Sequence, residues 1–63
     1  MPEPYLIVSE MRQAVKDGDK WKVSDLAEKA MNSLLNYQKS DQEVVSAVVR
    51  KAIGECQREV GLA

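Results

Sequence analysis

The sequence has no histidine and only one cysteine, Cys56. An internal disulfide is therefore impossible, and a zinc site built from cysteine and histidine is excluded. Three glycines are too few and too scattered for a phosphate-cradling loop. No apolar run approaches the 18 or so residues that a membrane span needs. The longest near the start, Tyr5–Val8, follows Glu3 and has no basic segment before it, so it does not read as a signal peptide. No block of like charge stands out either. Nine Lys/Arg and ten Asp/Glu give a net charge of −1, mixed along the whole chain. Phosphate-backbone binding as the main task is not suggested by that balance.

What is present is the composition of a small folded protein, 44% hydrophobic and 30% charged. At 63 residues it is one domain at most. A domain of roughly this size buries only about 60% of the surface its unfolded chain exposes. Ordering it costs about 1.5 kcal/mol per residue, nearly cancelling the gain from apolar burial. Without disulfides or zinc, stability must come from regular helix packing or from association with another chain. The lone cysteine suits a reducing compartment, and a cytoplasmic location is the expectation. Met1 and the stop signal at Gly61 suit a complete short protein.

Three helices are predicted, at about 3–17, 24–38 and 41–60. In the first, Pro4 fits an opening turn, where its missing N–H has no partner to lose. Ile7, Val8, Met11, Ala14 and Val15 fall on one face. Tyr5 and Leu6 point off that face. Asp17-Gly18-Asp19 ends the helix, with Gly18 free to adopt a left-handed conformation. Tyr5–Val8 could be read as a strand, but no second strand is available to pair with it.

In the second helix, Ser24 or Asp25 is the expected N-cap, and Asp25 with Glu28 has capping-box spacing. Val23, Leu26, Ala27, Ala30, Leu34 and Tyr37 share a face, while Met31 and Leu35 form an i, i+4 pair off it. In the third, Ser40-Asp41-Gln42-Glu43 has the form of a capping box. Its apolar stripe of Val44, Val45, Val48, Val49, Ala52, Ile53, Cys56 and Val60 spans about half the circumference, wider than a single buried face requires. This helix is therefore expected at the centre. Glu43, Arg50, Lys51, Glu55 and Arg58 lie opposite, on a solvated side. Both connections are short, so consecutive helices should be neighbours. The expected fold is all-α, a small three-helix bundle over residues 1–63, either self-sufficient or completed by dimerisation.

Catalysis finds little support. Ser9, Ser24, Ser33, Ser40 and Ser46 have no histidine base, and no serine–lysine spacing recommends itself. Cys56, in register with Val49, Ala52 and Ile53, reads as a buried inert thiol. Asp17, Asp19, Asp25 and Glu28 match four ligand positions of a calcium loop, but Lys22 stands where the loop needs glycine and Trp21 where it needs a ligand. No enzyme activity, metal or cofactor is expected.

Lys20-Trp21-Lys22 is the most unusual local feature. Trp21 is placed in the first inter-helix break, as a plug closing one end of the bundle or as a binding anchor. The plug is preferred, because so small a core needs every large side chain.

The leftover apolar groups, Met31 with Leu35 and Tyr5 with Leu6, point to a protein-interaction module, a small regulator or adaptor. Its partner would be another protein or an identical subunit. Met31 and Leu35 are the expected contact, with Trp21 or the Tyr5/Leu6 end as a second. The alternative is a DNA-binding regulator. Val23–Ala30 loosely resembles the first helix of a helix-turn-helix, which would make the third helix the reader, through Arg50 and Lys51. Against it, helix two continues past the point where that motif turns. Asp41-Gln42-Glu43 would also set negative charge against phosphates.

Overall fold

The computed structural model describes residues 3–37 and 42–62. It is an all-α three-helix bundle: α1 Glu3–Lys16, α2 Lys20–Leu35 and α3 Gln42–Glu59. Among the described residues there is no strand, and Tyr5–Val8 is helical. No described helix is long and apolar enough to cross a membrane.

Two glycines end two helices in the same way. Gly18 has φ +70° and Gly61 φ +81°, values that L side chains rarely adopt. The Asp19 N–H reaches the Ala14 carbonyl at 3.0 Å and the Gly18 N–H reaches Val15 at 3.0 Å. At the other end the Leu62 N–H bonds to Gln57 at 2.7 Å and the Gly61 N–H to Arg58 at 3.1 Å. Each nested pair is a Schellman motif, which satisfies carbonyls left over by the last turn.

Helix α2 begins four residues earlier than the sequence suggests. Its N-cap is Asp19, whose carboxylate accepts from the Lys22 N–H at 3.1 Å. Ser24 and Asp25 lie inside the helix, exposed. Lysine and tryptophan have adequate helix propensity, so nothing in Lys20-Trp21-Lys22 resists helix once Asp19 caps it. The helix ends at Leu35, three residues before the expected 38. Position 38 and the Ser40 capping box lie outside the described residues.

The core is apolar. Ile7, Met11 and Ala14 of α1 meet Val23, Leu26, Ala27, Ala30 and Leu34 of α2, and Val45, Val49, Ala52, Ile53 and Cys56 of α3. Among the described residues no polar or charged side chain is buried. Full burial of a side chain such as Met11 contributes about 1.5–3 kcal/mol. The α1–α2 interface is the most extensive, and α3 packs about equally on both. Ala14, Ala27 and Ala30 lie buried between the helices, and small side chains permit close packing. The expectation that α3 is central is thus corrected. Its buried stripe is also narrower, because Val44 is 63% exposed and Val48 49%.

Side-chain contacts show the direction of α3. Gln42, at its start, donates from Nε2 to the Leu34 carbonyl near the end of α2, at 3.2 Å. Glu55 pairs with Arg12, late in α1, at 3.7 Å. So α3 runs antiparallel to α2 and parallel to α1. With both side chains about half exposed, the ion pair adds no more than about 1 kcal/mol.

Candidate functional site

The short connection between α2 and α3 leaves a groove between the end of one and the start of the other. It has a volume of about 410 Å3. Met31, Leu34 and Leu35 line it from α2, and Gln42, Glu43, Ser46, Ala47 and Arg50 from α3. The two walls differ in chemistry. The α2 wall is apolar, with Leu34 buried, Met31 half-buried and Leu35 78% exposed. The α3 wall is small and polar in the middle and charged at its ends.

Local hydrogen bonds hold the polar wall. Gln42 bridges to Leu34 as described, tying the mouth of the groove to the last turn of α2. The Arg50 Nε donates to the Ser46 hydroxyl at 3.0 Å, one turn back along α3. This anchors the guanidinium beside Ala47. Glu43 has no hydrogen bond or ion pair with any described residue.

The structure separates the residues singled out in the sequence. Met31 packs partly against the core cluster, while its neighbour Leu35 stands out into solvent, so the pair is not uniformly free. Tyr5 packs against the core cluster and is not directed away from it. Leu6, 49% exposed, remains outside. Tyr5 and Leu6 are therefore not one patch, and they take no part in the α2–α3 groove.

Trp21 corrects the plug expectation. It sits in the first turn of α2 and is 72% exposed, with the Lys20 ammonium 5.6 Å from the ring centroid. The indole therefore closes nothing. Trp21 and Leu35 are 14 residues apart, so helix geometry puts them about 40° apart around α2 and about 21 Å apart along it.

Arg50 belongs to the groove, and Lys51 is exposed beside it. The described α3 carries Arg50, Lys51 and Arg58 against Glu43, Glu55 and Glu59, so the helix has no net charge with which to attract phosphates. Val23–Ala30 lies within the unbroken helix α2, with no turn after the alanines.

Cys56 is fully buried on α3. Its thiol pKa is raised, chiefly by burial, with Glu59 and Glu55 adding to the effect and Arg12 opposing it. A buried thiol held protonated is a poor nucleophile. Asp17 accepts from the Gln13 amide at 3.2 Å and Asp19 caps α2, which are structural tasks.

The sequence does not mark the groove as a unit, because its walls come from two helices. The pairing of Met31 with Leu35 was visible in the sequence, but the facing Ser46-Ala47-Arg50 edge has no pattern that marks it. Compared with protein-family models, curated proteins and solved structures, the chain has no significant match.

Proposed function

We propose that this chain is a non-catalytic protein-interaction module, a small regulator or adaptor, and that the α2–α3 groove is its docking surface. The observation that carries this reading is the apolar wall formed by Met31 and Leu35 with buried Leu34, facing a rim that offers both charges. An amphipathic helix suits such a groove: its apolar side covers the α2 wall while its polar flanks meet Glu43 and Arg50. Full burial of Leu35 would contribute about 1.5–3 kcal/mol, before the ordering costs of association are subtracted. Trp21, on the same flank of α2, is a second contact for a partner long enough to reach it. Leu6 lies off this surface and has no part in the reading.

A photo-crosslinking side chain at position 35 tests it. In an extract of the cells that make the protein, irradiation should yield one discrete adduct, and the same group at Lys16 should yield none. Leu35→Glu should abolish capture by a crosslinker at Ala47 while helicity is retained. Indiscriminate or absent adducts at position 35 would remove the groove from consideration.

A further inference from the structure

The groove edge of α3 carries a charge pattern that is complementary to itself. Glu43 and Arg50 both line the groove, and Ser46 and Ala47 lie midway between them. Seven residues place the two charges about 10.5 Å apart along the helix. They do not pair with each other, since the one ion pair among the described residues joins Arg12 to Glu55. The bond from Arg50 Nε to Ser46 holds the guanidinium on this edge and leaves its terminal nitrogens to donate elsewhere.

We infer that the partner seated in the groove is a second copy of this chain, bound antiparallel about a two-fold axis through Ser46 and Ala47. This deepens the proposed function and rests on it. A two-fold rotation there exchanges the two ends of the edge, so Glu43 of each copy meets Arg50 of the other. A parallel arrangement would set glutamate on glutamate and arginine on arginine, and like charges across an interface are costly. At the crossing point the side chains are serine and alanine, the smallest on this wall, so the two α3 helices can approach closely. Leu35 of each copy then covers the outer edge of the other copy's α3. With a net charge of −1 per chain, long-range repulsion between copies is slight.

Sedimentation equilibrium of the full chain tests this over a wide concentration range, with circular dichroism confirming that each variant is folded. The wild type should dimerise reversibly. In a two-fold dimer a single reversal breaks both ion pairs at once, so Glu43→Arg or Arg50→Glu alone should weaken association by about tenfold. The double variant Glu43→Arg/Arg50→Glu should regain most of that loss. A wild type that stays monomeric, or a dimer indifferent to both reversals, would overturn the inference. If the wild type is monomeric but the crosslinker at position 35 still gives a discrete adduct of other mass, the groove docks a different protein, and only the identity of the partner falls. If the chain is monomeric and no adduct forms, both readings fall.

Discussion

Gln42 donates its side-chain N–H to the Leu34 carbonyl at 3.2 Å, so the first residue of α3 caps the last turn of α2. This bond, between residues eight apart, joins the two groove walls at their mouth. Gln42→Ala should leave that carbonyl with only the Tyr37 N–H, its other donor at 3.2 Å, and cost about 0.5–1.5 kcal/mol, at the low end because the site is only partly buried and the carbonyl keeps a partner. Denaturant unfolding measures the loss. Hydrogen exchange should show earlier opening at the start of α3 than in α1.

Gly54 sits in the interior of α3, where a Cβ would meet nothing within 4 Å. Its backbone is not in the left-handed region, so glycine gives the monomer no conformational benefit there. Gly54→Ala should stabilise the chain by about 0.8–1 kcal/mol. That corresponds to a rise in Tm of about 4–8 °C for a domain this small. Scanning calorimetry at low concentration checks it.

Cys56 links stability to pH at the alkaline end. Its folded pKa lies above the ordinary value of 9.0, chiefly because burial disfavours the thiolate. The folded state therefore holds the proton more tightly than the unfolded chain. The stability this contributes is full below the unfolded value and is lost as pH rises through the raised folded one. Stability measured across that window should fall less steeply in Cys56→Ala than in the wild type. A thiol reagent should modify native Cys56 only as fast as the core opens.

Trp21 reports on which surface associates. The indole is 72% exposed, so its emission should be that of a water-bathed ring and open to a soluble quencher. Self-association through the groove buries Leu35, about 21 Å from the ring along α2, and leaves the indole at most at the margin of the contact, so that emission should change little with concentration. A blue shift on concentration would place the contact at the Trp21 end.

How much of this was legible in the sequence depended on whether a signal was local. The glycine stops at 18 and 61 and the helical stripe through Ile7, Met11 and Ala14 are short-range patterns, and the structure matches them. The start of α2 differs from the expected one because Asp19, which reads in the sequence as part of the turn that ends α1, is also the cap of α2. A break at Lys20–Lys22 would leave Trp21 outside the helix, whereas the Asp19 cap brings it into the first turn. Val44 and Val48 depart from the expected buried stripe for a different reason. Helical spacing places them beside the core stripe, but α1 and α2 together cover only the arc through Val45, Val49, Ala52, Ile53 and Cys56. Which part of a wide stripe is covered depends on where the neighbours sit. The groove is tertiary in the same sense, since Leu35 and Arg50 are brought together by the α2–α3 packing alone.

Methyl-resolved NMR of the full chain, recorded from dilute to concentrated, tests the central claim most directly. If the groove is the interaction surface and a second copy fills it, the methyl signals of Met31, Leu35 and Ala47 should shift together with concentration, while those of Leu6 and Val44 stay fixed. Shifts at Leu6 or Val44 with the groove methyls unmoved would contradict the account.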